Sequence, residues 1–398
     1  MKRVNFWMRW CMMLLTIGSF PLNAEQELSI GEATIKQMQT ELMAALSEAV
    51  GQRTHRQGVV LKLETQQDRQ TLRLNLSERD ARDTLFQLQL SGGDTQVLVQ
   101  GRFLNRQELE CVQQILSRCL SGRAIKWELT VANVGFGVVS VPCADFYVTP
   151  VAEPGDNLGS QLLSGMPIIL LETSRDGQFY HVQNCDDGYL GWLAANTLQI
   201  VPAAAWQHWV NMPKVYLTKT ISTPKLYAAT ALGMTRNGDL LQFDGAVKMP
   251  IAESGYFAPG MEVLPAHIMS TARRFLAKEE FAPTTYLWGG TCGSAIDCSG
   301  FVQLVFRMNG ILLPRDADQQ YQFSQKVAWE AMQPGDLVFF SKRKDHPTHV
   351  GIYLGGDNFI HSSPSGGTSG VKISNFAGTT EYDKYLREIF FAAGRILK

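Results

Sequence analysis

Cys298 stands in the run Tyr286-Leu-Trp-Gly-Gly-Thr-Cys-Gly-Ser-Ala-Ile-Asp-Cys-Ser-Gly-Phe301, between an Asp and a Ser-Gly pair. Apolar residues follow at helical spacing, Phe301, Val302, Val305 and Met308, so the thiol falls at the first turn of a helix. The positive end of the helix dipole and the unpaired N–H groups there favour thiolate over thiol, and thiolate is the nucleophile. A base is also at hand. His349 opens His-Val-Gly-Ile-Tyr-Leu-Gly, an apolar run that reads as a core strand closed by a turn at Gly355, Gly356 and Asp357. His361 ends the next short strand, Asn-Phe-Ile-His. Two antiparallel strands joined by a tight turn can set both imidazoles side by side. Cys298 then attacks, His349 takes and returns the proton, and His361 orients His349.

Taken singly, a cysteine before a helix is most often a small buried hydrophobe, and a strand histidine is usually structural. The order of the three segments, each on the element its chemistry needs, favours catalysis. Residues from about 267 to 398 resemble the NlpC-type papain-like cysteine peptidases that cut bacterial cell-wall peptides. The resemblance extends to Tyr-Leu-Trp-Gly-Gly (286–290), Leu-Pro-Arg-Asp-Ala-Asp-Gln-Gln (313–320) and Gln-Pro-Gly-Asp-Leu-Val-Phe-Phe (333–340). It implies a papain-like α+β fold with Cys298 as nucleophile, His349 as base and His361 as third member. By the same resemblance Tyr286 lies beside the thiolate and steadies the tetrahedral intermediate.

The 313–320 run, with barrel-like segments upstream, is similar to a narrower group. Its members hydrolyse the γ-D-glutamyl–diamino acid bond of peptidoglycan stem peptides and prefer a free N-terminal L-Ala. A free ammonium needs carboxylate and hydroxyl acceptors, for which Asp297, Ser299 and Asp316 are the candidates. Asp297 reads equally as a helix N-cap and Asp316 as a turn or cap residue. Trp288, beside the Tyr286 position, is a further candidate substrate contact, as are Tyr189 and Glu153 upstream. Cys292 matches no common zinc spacing and reads as a neutral substitution at the cleft rim. His346 falls in a charged loop and reads as solvated. No metal and no cofactor is expected.

Lys2, Arg3 and Arg9, an apolar stretch from Trp10 to Phe20, and Pro21-Leu-Asn-Ala24 form a signal peptide over residues 1–24. The expected product is exported, periplasmic or extracellular, with no transmembrane span. Six cysteines follow residue 24, at 111, 119, 143, 185, 292 and 298. With Cys298 kept as a thiol, this is no disulfide scaffold; a single bond between Cys143 and Cys185 is the pairing considered. A formal net charge of −1 offers no basic field for nucleic acid or anionic lipid.

The remaining elements must position this chemistry. Residues 25–142 read as helix, four strands, helix, strand, a small α+β domain with helices on one face of an antiparallel sheet. Ser29 and Asn105 each precede a Glu by three residues, marking the two helix starts. This domain offers no catalytic grouping. Residues 143–203, with Gly188-Tyr-Leu-Gly-Trp192, resemble a bacterial SH3-like barrel, and 213–265 a weaker second one. The catalytic domain then spans 266–398. Competing readings are a wall-binding protein that has lost activity and a murein hydrolase or amidase acting on intact peptidoglycan.

Overall fold

A computed structural model describes residues 30–54, 59–65, 71–93, 95–153, 155, 157–211, 216–217, 256–257, 262–276, 285–292 and 295–397. The expected signal peptide lies outside these residues, as does nearly all of the expected second barrel. Of the latter, Tyr216–Leu217 and Tyr256–Phe257 pair antiparallel. No helix among the described residues is long and apolar enough to cross a membrane.

The N-terminal domain follows its hydrophobic pattern. Met38, Leu42, Leu46 and Val50 are spaced along one face of the helix Glu32–Thr54 and are all buried. They pack with a five-stranded sheet whose strands lie in chain order: Leu61–Thr65, Thr71–Leu76, Phe86–Gly92, Gln96–Phe103 and Ala124–Val131. A second helix, Arg106–Cys119, is capped by Asn105, whose Oδ1 accepts from Glu108 N at 2.9 Å. That helix corrects one expectation. It carries the chain back across the sheet, so the last two strands run parallel rather than antiparallel.

The barrel is a seven-stranded sheet that begins earlier than position 143. Gly135–Val139 belongs to it, paired with Leu198–Val201 on one side and Pro167–Thr173 on the other. Phe179–Asn184, Leu190–Ala194, Cys143–Tyr147 and Leu158–Leu163 complete the order. Cys143 is disulfide-bonded, but Cys185 carries no disulfide, so no bond joins these two.

The C-terminal domain sets a helix against a six-stranded antiparallel sheet. Its order is Gln325–Val327, Phe390–Arg395, Leu337–Phe340, His349–Gly355, Asn358–Ser363 and Gly370–Asn375. The helix Cys298–Met308 is buried along its whole length, as its mean apolarity requires. Barrel and C-terminal domain share one continuous apolar core. Their seam is also hydrogen-bonded: Thr291 N and Oγ1 donate to Gln161 Oε1 and O at 3.1 and 2.6 Å. Gln303 Nε2 donates to Asp187 Oδ2 at 2.9 Å. The N-terminal domain docks on the barrel through Arg102, which donates to Glu172 Oε2 and Leu171 O, each at 2.5 Å.

Gly289 lies on this seam with φ +78°, and an added Cβ would sit 2.2 Å from Leu158 O. Both conformation and space exclude a side chain. Gly289→Ala is therefore expected to cost about 1–3 kcal/mol. Thermal unfolding of the full chain tests this; an unchanged midpoint would contradict the tight seam.

Candidate active site

Cys298 begins its helix, and Asp297 is the N-cap, its Oδ1 accepting from Gly300 N at 2.7 Å. Gly300 is required by close approach: a Cβ there would meet Gly290 O at 2.2 Å. This explains the Ser-Gly pair after the thiol. The backbone N–H groups of Val350 and Ser299 act on the Cys298 sulfur, favouring its charged form. The first of these follows His349 directly, so nucleophile and base lie on abutting elements.

His349 and His361 meet as expected. His349 Nε2 lies 2.7 Å from His361 Nδ1, and His361 Nε2 lies 3.0 Å from Ser374 Oγ. One proton assignment that satisfies these contacts also leaves His349 free to act as a base. If His361 Nε2–H donates to Ser374, its Nδ1 accepts from His349 Nε2–H, and His349 Nδ1 is left with a lone pair. His361 is fully buried. The turn Gly355-Gly356-Asp357 that brings the strands together has φ of 89°, 57° and 66°.

The expected thiolate is not favoured. Burial, then the Asp297 carboxylate, push the Cys298 thiol up to about 12, against the Val350 and Ser299 N–H groups and Arg315. Burial likewise pulls His349 down to about 4 and His361 well below its usual value. The resting pair is thus a neutral thiol and a neutral imidazole. Tyr286 is held above its ordinary value by burial and by the charges of Cys298 and Asp297, so it stays an O–H donor.

Asp297 and Ser299 are turned to Arg315, which lies inside the 313–320 motif. Arg315 is 1% exposed and donates from Nη2 to Asp297 Oδ2 at 2.6 Å. Its Nη1 reaches Asp297 Oδ1 at 3.2 Å and Ser299 Oγ at 2.9 Å. Its Nε reaches Ser160 Oγ of the barrel at 3.0 Å. Asp297 Oδ2 also accepts from Gly289 N at 2.9 Å. Both residues are therefore spent on the frame of the site.

Asp316 caps the helix Ala317–Phe323; burial, then the charge of Asp316, hold the Tyr189 hydroxyl of the barrel well above its ordinary value. Trp288 lies at the rim, 57% exposed. Glu153 is exposed in the barrel loop before Leu158. His346 is not solvated: its side chain is 13% exposed, with Nδ1 2.8 Å from Asp345 Oδ2. Arg82 and Asp318 also join the cluster, and neither was singled out from sequence. Arg82 lies in a different domain, and only folding reveals it.

Residues 283–389 match the NlpC/P60 family model, and 151–198 match that of the bacterial dipeptidyl-peptidase SH3 domain. The γ-D-glutamyl-L-lysine dipeptidyl-peptidase of Bacillus subtilis is 42% identical over 88 residues, covering 22% of this chain and 30% of the relative. A probable endopeptidase of Haemophilus influenzae is 32% identical over 165 residues, 41% of this chain and 91% of the relative. A crystal structure of an NlpC/P60 family protein from Bacillus cereus superposes with a TM-score of 0.49 at 20% identity, over 66% of this chain and all of that one. On the family match and the near-complete coverage of the Haemophilus protein, the chain belongs to the NlpC/P60 family.

Proposed function

We propose that this chain is an exported cysteine peptidase that hydrolyses the γ-D-glutamyl–diamino acid bond of peptidoglycan stem peptides, favouring those with a free N-terminal L-Ala. The observation that carries this reading is the continuity of two sets of groups. The Cys298–His349–His361 set is tied to a carboxylate, Asp316, through Arg315, which lies 4.0 Å from Asp316 and hydrogen-bonds to Asp297 and Ser299 on either side of Cys298. The buried Tyr189 of the barrel lies within the field of that carboxylate. The name of the Bacillus relative gives the same bond type.

The chemistry follows from the protonation states. As the γ-glutamyl carbonyl reaches Cys298, His349 Nδ1 takes the thiol proton while sulfur forms the bond to carbon. The N–H at the helix start and the Tyr286 hydroxyl receive the developing oxyanion. The imidazolium of His349, steadied by His361, returns its proton to the departing amine, leaving a thioester. Water, deprotonated by His349, then releases the acid and restores the thiol. Asp316 and Tyr189 receive the L-Ala ammonium, and Trp288 lies over the open side. Asp297 and Ser299 act through Arg315 instead of touching substrate.

Incubation of L-Ala-γ-D-Glu-diaminopimelate with the full chain, followed by mass spectrometry, is expected to release diaminopimelate. The N-acetylated peptide should be cut at least about tenfold more slowly, and Cys298→Ala should abolish cleavage. Equal rates for both peptides would favour action on intact peptidoglycan; cleavage of neither would favour a wall-binding protein. The pH dependence is a separate test. His349 serves as base only when neutral, hence above about 4, so kcat/KM should hold to about pH 5 and fall below it. Alkylation of Cys298 by iodoacetamide should keep rising with pH through 9, because the thiol ionises only near 12. A plateau at pH 6–7 would reveal a preformed thiolate.

A further inference from the structure

The N-terminal domain, which sequence leaves without a role, sends one side chain into the acidic end of the site. Its short 3-10 turn Asp80–Arg82 abuts the start of the helix Ala317–Phe323. Arg82 Nη1 donates to Asp316 Oδ2 at 2.5 Å and Asp318 Oδ1 at 3.1 Å, while Nη2 donates to Asp318 Oδ2 at 2.7 Å. Its Nε donates to Arg79 O at 3.0 Å, which fixes the guanidinium plane. Gln319 Nε2 reaches Asp83 Oδ2 at 3.0 Å from the other side. Arg79 lies 3.7 Å from Asp318 but is 40% exposed and also faces Asp345.

Charge pairing makes this placement consequential. Arg315 lies 4.0 Å from Asp316 but its hydrogen bonds go to Asp297, Ser299 and Ser160, so Arg82 is the cation hydrogen-bonded to Asp316. Asp316 is also the charge that acts most strongly on the buried Tyr189 hydroxyl. An ammonium arriving there meets a guanidinium in possession of the same oxygen. The two cations repel at contact distance, and a low-dielectric setting strengthens that repulsion. We propose that Arg82 is a specificity-determining residue, an internal counter-ion of Asp316 and Asp318 that the substrate's N-terminal ammonium must displace. This rests on the reading of Asp316 as the ammonium subsite. A separate contact, Arg102 to Glu172 and Leu171 of the barrel, holds the domain independently of Arg82.

The test uses the full chain carrying Cys298→Ala, with calorimetric binding of two probes. L-alaninamide presents the ammonium alone; L-Ala-γ-D-Glu-diaminopimelate presents the whole stem. Adding Arg82→Gln is expected to tighten both at least about tenfold. The N-acetylated peptide should be unaffected, and Arg79→Gln should change affinity less than about twofold. Should Gln disturb the turn, Arg82→Met keeps the aliphatic stem and carries the same expectation. Unchanged or weaker binding of both probes in Arg82→Gln and Arg82→Met overturns the proposal. Tighter alaninamide binding in a chain whose Cys298 parent fails to cleave the stem peptide would support Arg82's role while removing the proposed bond specificity.

Discussion

The guanidinium of Arg315 and the carboxylate of Asp297 face each other through two hydrogen bonds in an almost dry interior, and the site is assembled around that contact. Asp297 caps the nucleophile's helix and ties down the Gly289 peptide that follows Trp288. Arg315 reaches Ser299 beside the nucleophile and Ser160 of the barrel. One ion pair thus joins the thiol's helix, the Tyr286 loop and the neighbouring domain. Arginine suits this position because its planar fork of donors meets several acceptors at once, which a lysine ammonium cannot do in that geometry. Burying the charges is costly, so the pair contributes little net stability; removing one partner leaves the other uncompensated and costs about 3–5 kcal/mol.

The same dryness sets the resting state of the nucleophile. A helix N-terminus alone favours thiolate, yet burial and the capping carboxylate act in the opposite sense and prevail at Cys298. The imidazole is kept neutral for the same reason, which leaves it ready as a base. Proton transfer therefore accompanies attack. The relay from His349 through His361 to Ser374 supplies the orientation that a preformed ion pair would otherwise give.

Much of this was readable from local pattern. The apolar spacing after Cys298 places it at a helix start, and Gly355-Gly356-Asp357 gives the turn that sets His349 against His361. Features that depend on distant partners were not readable. Arg315 sits in a visible motif, but its meaning comes from Asp297 eighteen positions earlier. Arg82 pairs with Asp316 across 234 positions and two domains, and nothing around it marks it as more than a surface charge. The parallel strand Ala124–Val131 has the alternation of any half-exposed strand; direction is decided by the helix crossover. The barrel's first strand, Gly135–Val139, was missed because its pairing partners lie roughly 30 and 60 residues ahead. Cys298's ionisation failed for another reason: the helix dipole is legible in sequence, and desolvation is not.

A double-mutant cycle on Asp297→Asn and Arg315→Met bears most directly on the role of the buried pair. Urea unfolding of the full chain would be measured for both single variants and the double. Each single change should cost about 3–5 kcal/mol, and the double should cost clearly less than their sum, because neither charge is then left stranded. Strictly additive losses, or single losses below about 1 kcal/mol, would show that the site is held together by something other than this ion pair.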